Sequence, residues 1–513
     1  MAYLSDMLRK AKQQSSNTSD APETENQDSN LTSSTDRILV ESYGDTKIYQ
    51  IKGDKQMYYE TPSPRYRGEE KVLIESLLEL AANSINANDK LLQTRSEKRA
   101  RLYSAVMEIV DKNPQINLPS NAKNFYVNAV VREMAGFGLI DPLIYDDNLE
   151  EVMVIGVNKP VYVFHRKHDM LKTNIVFYND KDIYDLIDRI ARNVGRHIDL
   201  QSPMLDARLA DGTRVNATIP PLSLEGSTLT LRKFRADPLS IMDLINYGTI
   251  NPVSAAFLWM GVEGLKSYPA NMLISGGTAS GKTTMLNAVG SFIPEHERLI
   301  TIEDTAEIRL PFEHLIRFES RPPSTEGQGE VSINMLLTNA LRMRPDRIVV
   351  GEVRGEEAYT LFNAMNTGHK GSLGTVHANS AKETLVRLTS PPMNIPGVML
   401  SALNFIVMQQ RIYDPRKGLV RRVTEIGEVV VDEELNSSVK IIFQWNPNKD
   451  VLMETGEPIL FLKTLADYAG LSVSAVRDEW KSRTELIENL YEKGIRDLTT
   501  VTNSIQQYTK EKV

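Results

Sequence analysis

Cysteine is absent from all 513 residues. That one absence removes disulfides, thiolate nucleophiles and every zinc site built on sulfur. Long apolar runs are missing too: no stretch of about 18 apolar residues occurs, so no segment reads as a membrane-spanning helix. The opening MAYLSDMLRKAKQQ lacks the apolar centre of a signal peptide, and the chain is expected to stay in the cytoplasm. There is also no long basic block, and the formal net charge is −8, which argues against a protein that grips nucleic-acid phosphates over a broad surface. The seven histidines, His165, His168, His197, His296, His314, His369 and His377, show no H-x-x-x-H spacing for a metal. His165 and His168, within VYVFHRKHDM, are expected in a solvated turn.

What remains is ordinary globular composition, 41% apolar and 25% charged, in a chain too long for one core. Every residue from Gln13 to Asp36 except Ala21, Pro22 and Leu31 is Ser, Thr, Asn, Gln, Asp or Glu. Such a segment cannot bury enough surface to offset its ordering entropy, so residues 1–36 are expected to be disordered. Tyr3, Leu4, Met7, Leu8 and Ala11 fall on one helical face beside Arg9, Lys10 and Lys12, a candidate docking helix for a partner or a membrane surface. Residues 37–234 alternate short strands and helices and read as an α+β domain, with Asn148 to Phe164 as two strands about a turn at Asn158-Lys159-Pro160. A linker follows at 235–240, next to FRADP. Residues 241–513 repeat strand, loop, helix, the pattern of an α/β domain with a mostly parallel sheet and helices on both faces.

The stretch LISGGTASGKTTMLNA (273–288) contains G-x-x-x-x-G-K-[ST] in full, with Gly276, Gly281, Lys282 and Thr283 at its fixed positions. An apolar strand precedes it and a helical run follows, the context the motif requires. Backbone N–H groups from Gly276, Gly277, Thr278, Ala279, Ser280, Gly281, Lys282, Thr283 and Thr284 are expected to cradle phosphates. Lys282 reaches the outer oxygens and Thr283 ligates Mg²⁺, while the helix start adds its positive dipole end. Three more strands end in polar groups: LITI delivers Glu303 and Asp304, RIVV delivers Gly351 and Glu352, and SLGTV delivers His377. In a parallel sheet, ligands collect at the carboxyl ends of strands. Glu352 is therefore assigned to Mg²⁺ or its water shell, Glu303 to orienting the attacking water, and His377 to the γ-phosphate. The reverse duty for the two carboxylates stays open, since both sit near one metal. Ser380 and Glu383 read as a capping box starting a helix, and Ala358, Leu361, Phe362 and Met365 as the core stripe of another.

Four segments in this order, GGTASGKTT (276–284), TIEDTAEI (301–308), RMRPDRIVVGEVRGEEA (342–358) and GSLGTVHANS (371–380), resemble the Walker A, Asp box, Walker B and His box of the type II/IV secretion ATPases. The resemblance covers roughly Asn148 to Arg422. It implies a RecA-like C-terminal domain, an N-terminal domain that closes over ATP and Mg²⁺, and a homo-hexameric ring. It further implies a polytopic membrane platform protein and other cytoplasmic components as partners, and work at the inner face of the membrane; no nucleic acid is expected as a partner, given the acidic balance. Ala279 in place of a common glycine, VFHRKHDMLKTNIVF (163–177) and RPPSTEGQGEVS (321–332) look most like the archaeal branch, especially the archaellum motor ATPase. Archaeal pilus-assembly ATPases share much of the pattern.

The resemblance also singles out MLDARLADGTRVNATIPP (204–221), from which relatives supply arginines to the nucleotide, and so Arg208 and Arg214, with Arg232 as a third candidate. A two-residue turn at Asp211-Gly212 would send Arg208 and Arg214 to opposite faces. A three-residue loop would put them on the same face. Arg342 and Arg344, near Walker B, are expected to sense nucleotide, line a subunit boundary, or form surface ion pairs.

Overall fold

The computed structural model describes the chain from Arg37 to Lys512, except residues 64–67, 85–94, 114–121, 234–237, 322–328 and 435. The expected disorder and docking helix of residues 1–36 lie outside the described residues, as does most of FRADP. Two compact units divide the chain, Met1–Arg235 and Ala236–Val513. Among the described residues no helix is long and apolar enough to cross a membrane.

The first unit carries the strands β1 (Arg37–Tyr43), β2 (Thr46–Ile51), β3 (Tyr58–Glu60), β4 (Leu149–Val154), β5 (Pro160–His165), β6 (Asp169–Val176), β7 (Met204–Arg208), β8 (Arg214–Thr218) and β9 (Thr228–Arg232). They form one sheet in the order β1-β2-β3-β6-β5-β4-β9-β8-β7, antiparallel throughout except at β3 and β6. Alternation drives it: Val161, Val163 and His165 of β5 are buried while their neighbours are not, the period of a strand with one covered face. The helix Asp180–Asn193 supplies Ile183, Leu186, Ile187 and Ile190 to that core, and Asn179 caps its start by accepting the Lys181 N–H.

His165 corrects the expectation of a solvated turn. It is 3% exposed; its Nδ1 accepts the N–H groups of Lys167 and His168, and its Nε2 faces the Tyr43 hydroxyl at 3.3 Å. His168 lies 2.6 Å from Glu41. A turn does follow β5, but both rings fold back against β1 rather than into water. Burial, with the neighbouring His168, holds the His165 pKa below its usual value.

The second unit contains β10 (Met272–Ser275), β11 (Leu299–Glu303), β12 (Leu315–Glu319), β13 (Arg347–Val353), β14 (Leu373–Val376), β15 (Phe405–Asp414), β16 (Gly418–Val431), β17 (Ser437–Asn446) and β18 (Val451–Glu454). Their order is β12-β11-β13-β14-β10-β15-β16-β17-β18. The pairs from β12 to β15 are parallel, and the three pairs beyond β15 are antiparallel. Parallel strands must be covered on both faces, and β10 is buried at all four residues. The helix Pro252–Glu263 is buried at every position from Ser254 to Glu263, as expected of a helix that is apolar all round. The second unit has the RecA-like α/β fold, and the first is an α+β unit.

Candidate phosphate-binding site

The loop leaves β10 at Gly276 and enters the helix Lys282–Gly290. Gly281 caps that helix with φ +94°, and Ala279 holds φ +58°, a left-handed value that costs an alanine of order 1 kcal/mol. Lys282 Nζ donates to the Gly277 carbonyl at 3.0 Å, so the ammonium lies against its own loop. Burial lowers its pKa, against the pull of Glu352. Thr283 and Thr284 lie in the first helical turn, where free N–H groups and the dipole favour an anion.

His377 follows the end of β14, and its Nε2 lies 3.2 Å from the Thr278 hydroxyl; the imidazole therefore touches the loop directly. The helix beginning just after it is capped by Ser380, whose hydroxyl accepts the Glu383 N–H. The expected reciprocal half of the capping box is displaced by one residue, because Glu383 Oε2 accepts from Asn379 N–H instead.

Glu303 ends β11 with 2% exposure. One carboxylate oxygen accepts the N–H groups of Glu307 and Ile308 at 2.9 and 3.0 Å. The other, Oε2, is buried with no partner among the described residues. Burial pushes its pKa up to about 7, although those two N–H bonds oppose the shift. Gly351 lies on this side chain: a methyl carbon added there would come within 2.9 Å of Glu303 Cγ. The space an aspartate would need before Glu352 is filled by Glu303.

Strand β13 does not stop at Val350 as its apolar run implies but continues to Val353, with irregular pairing to β14 between Val350 and Val353. Glu352 thus sits inside a strand. Burial raises its pKa, but Arg354, hydrogen-bonded to its Oε2 at 2.6 Å, reverses the shift with help from Lys282 and His377, so it stays ionised. Arg354 also lies 3.5 Å from Asp304 and joins the Asp box to Walker B. Arg354 carries no motif position; it follows the end of β13, two residues after Glu352, and that close spacing of a cation to a strand-end carboxylate was the available signal.

Arg208 and Arg214 belong to the first unit. Leu209 N–H bonds to the Thr213 carbonyl, closing a three-residue loop, and Arg208 pairs with Arg214 directly across the ladder. Arg214 in turn pairs with Arg232, and Arg232 with Glu151. The two-residue turn is thereby excluded, and three arginines line one face in a row that ends at Glu151, 3.7 Å from Arg232. Like charges directly opposite weaken a sheet, and Glu151 offsets that repulsion at the Arg232 end of the row. Arg342 and Arg344 are exposed, with Arg344 at φ +54°, and neither makes an ion pair among the described residues.

A phosphate loop between two parallel strands, with carboxylates and an imidazole at neighbouring strand ends, defines a P-loop nucleotide-binding class. The family model "Type II/IV secretion system protein" matches residues 133–438, and the chain belongs to that family. It is 33% identical to the uncharacterized protein MJ0781 of Methanocaldococcus jannaschii, over 76% of this chain and 77% of that protein. It is 32% identical to a putative conjugal transfer protein of Mycobacterium tuberculosis, over 62% of this chain and 90% of that protein. The crystal structure of the VirB11 ATPase from the Brucella suis type IV secretion system, in complex with sulphate, is similar at 24% identity, with 56% of this chain and 94% of that one covered and a TM-score of 0.29.

Proposed function

We propose that this chain hydrolyses Mg²⁺·ATP as a homo-hexameric motor at the cytoplasmic face of the membrane and powers archaellum assembly and rotation through a polytopic platform protein. The observation that carries the ATPase reading is the meeting of motifs at one loop: His377 on Thr278, and Glu352, bridged by Arg354 to Asp304, within electrostatic range of Lys282. The archaellum reading rests on the resemblance of 163–177, 321–332 and Ala279 to that branch.

Each residue then has a task. The loop Gly276 to Thr284 binds the polyphosphate, and Lys282 leaves the Gly277 carbonyl for the outer phosphate oxygens. Thr283 and the ionised Glu352 are hard oxygen donors that fit Mg²⁺, which takes one or two protein ligands and completes its shell with water and phosphate. Bound there, the ion would neutralise charge on the phosphates. Glu303, with one oxygen tied and one free, orients the attacking water and takes its proton. His377 reports the γ-phosphate through Thr278. Arg208 and Arg214 are the cations that meet the polyphosphate in the working assembly.

The test is ATP turnover by the purified full chain. Protein that does not hydrolyse ATP, or whose hydrolysis survives both Lys282→Ala and Glu303→Ala, would overturn the proposal. Nucleic acid is expected to leave the rate unchanged, and sizing with and without ATP reads the hexamer. Deletion of the gene distinguishes the outputs: loss of swimming supports the archaellum motor, and loss of pili with swimming intact assigns the same ATPase to pilus assembly.

A further inference from the structure

Strand β10 lies between β14 and β15, so the phosphate loop that leaves it has two flanks. His377 guards the β14 side. On the other side Ser275 pairs with Met408, and the next residue, Gln409, follows a pairing irregularity between Met408 and Gln409.

Gln409 is 1% exposed and touches the loop at three places. Its side-chain Nε2 donates to the Ser280 carbonyl at 2.8 Å. A methyl carbon on Gly276 would come within 2.2 Å of the Gln409 carbonyl oxygen, and one on Gly281 within 2.8 Å of its Nε2. The two glycines that bound the motif therefore pack against the two ends of one residue, its backbone and its amide. From β16, Arg421 Nε donates to the Ala279 carbonyl at 3.1 Å. Gln409 pairs with Val423 and Arg411 with Arg421, which puts Gln409 and Arg421 on the same face of the hairpin.

The chemical consequence follows from the planar trans peptide, in which C=O and N–H point in opposite directions. Holding the Ala279 and Ser280 carbonyls from outside fixes both peptide planes: the Ser280 N–H faces back into the loop, 3.4 Å from the Gly277 carbonyl, and the Gly281 N–H is turned away from Gln409, toward the side where an anion binds. In a loop whose Ala279 and Gly281 both hold positive φ, those planes are not set by local preference alone.

We infer that Gln409 is a positioning residue for the phosphate site: it presets the peptide planes of the loop before ligand arrives, with Arg421 as its second anchor. This rests on the reading of the loop as a nucleotide site. Preorganisation of this kind shows as affinity, because a loose loop must be ordered at the moment of binding.

The test uses the full chain with Gln409→Leu, Gln409→Glu and Arg421→Ala, reading ADP affinity, the split between KM and kcat, thermal midpoint, and amide exchange at Ser280, Gly281 and Lys282 without nucleotide. Gln409→Leu is expected to weaken ADP binding about tenfold, roughly 1.4 kcal/mol, to raise KM for ATP with kcat little changed, and to speed exchange of the three amides. Gln409→Glu, which turns an acceptor toward the Ser280 carbonyl, weakens binding further. Arg421→Ala, at an exposed side chain, has a smaller effect of the same sign and remains a readout if the Gln409 variants do not fold. A merely destabilised protein would lower apparent kcat through its folded fraction and leave KM alone. Wild-type affinity and wild-type amide exchange in Arg421→Ala and in either folded Gln409 variant overturn the inference. Wild-type protein that binds no ADP overturns the nucleotide reading instead, and the amide exchange then still decides whether Gln409 orders the loop.

Discussion

The second unit treats charge differently at the phosphate loop and away from it. Away from the loop, charged groups are paired, in the parallel strands as well: Arg347 of β13, 1% exposed, donates to Glu297 at 3.1 Å. Arg422, 3% exposed, donates to both oxygens of Asp450 at 2.7 and 2.8 Å, and that bond holds Asp450 far below the usual carboxylate range. Glu428 accepts the Leu460 and Phe461 N–H groups at the start of the helix Leu460–Ala469. Arg483 on the helix Val473–Glu492 reaches Glu263 at 2.8 Å and Glu479 at 2.9 Å. At the phosphate loop, charges stop short of completion. Glu303 keeps one oxygen without a partner among the described residues, Lys282 rests on its own loop, and Glu352 and Asp304 share one arginine. Matched groups hold a fold together. Groups left short retain free energy for a ligand.

That contrast can be broken from either side. Lys282→Ala is expected to lower ATP turnover on the order of 10³-fold, the scale for a cation that stabilises phosphoryl transfer. The thermal midpoint should stay near wild type, since the side chain anchors nothing but the loop. A large loss of stability in that variant would erase the distinction between the loop and the rest of the unit.

Glu303→Gln is expected to cost roughly 10²–10³ in turnover. Because burial raises Glu303 to about 7, activity should climb through pH 7 as the carboxyl loses its proton, and the variant should lack that limb of the profile. Stability has the opposite slope. The native carboxyl binds a proton more tightly than the unfolded one, so its contribution is full at low pH and falls as pH rises between about 4.5 and 7. Urea midpoints of both proteins at pH 5 and pH 8 measure the difference.

Glu263→Gln probes the matched groups away from the loop. Removing one member of a buried pair strands Arg483, itself 3% exposed, and is expected to destabilise the second unit by about 3 kcal/mol. Glu479 stays in place, which keeps the cost at the low end, and turnover per folded molecule should be unchanged. Smallest of all is Ala279→Gly. Relief of a left-handed alanine is offset by the extra freedom of glycine in the unfolded chain, so the thermal stability should move by no more than about 0.5 kcal/mol.

Much of the fold is legible in the sequence. The runs RILVESY, KIYQI, LITI and SLGTV lie in strands, and Ala358, Leu361, Phe362 and Met365 are buried on the helix Glu357–Asn366, because period and propensity act over a few residues. The loop itself is legible for the same reason: its glycine spacing includes Gly281, whose own φ is positive, a local demand that glycine meets. Three features escaped. The burial of His165 depends on Tyr43, 122 residues earlier. The choice between hairpin loops at Asp211-Gly212 lay with the Leu209–Thr213 bond, which either turn chemistry permits. Arg354 and Gln409 carry no motif of their own.

The division between the two sources of information is physical. From the sequence alone came the fold class, the phosphate loop, and the polar residues Glu303, Glu352 and His377 at or near strand ends, since each is a local pattern of spacing and backbone preference. Only the tertiary structure decided that Gly351 must be small beside Glu303, that Arg208, Arg214 and Arg232 form one row, and that Gln409 lies against both ends of a loop some 130 residues away. Strand register brings such residues together, and register is set by the packing of whole sheets, which leaves no trace in any short stretch of chain.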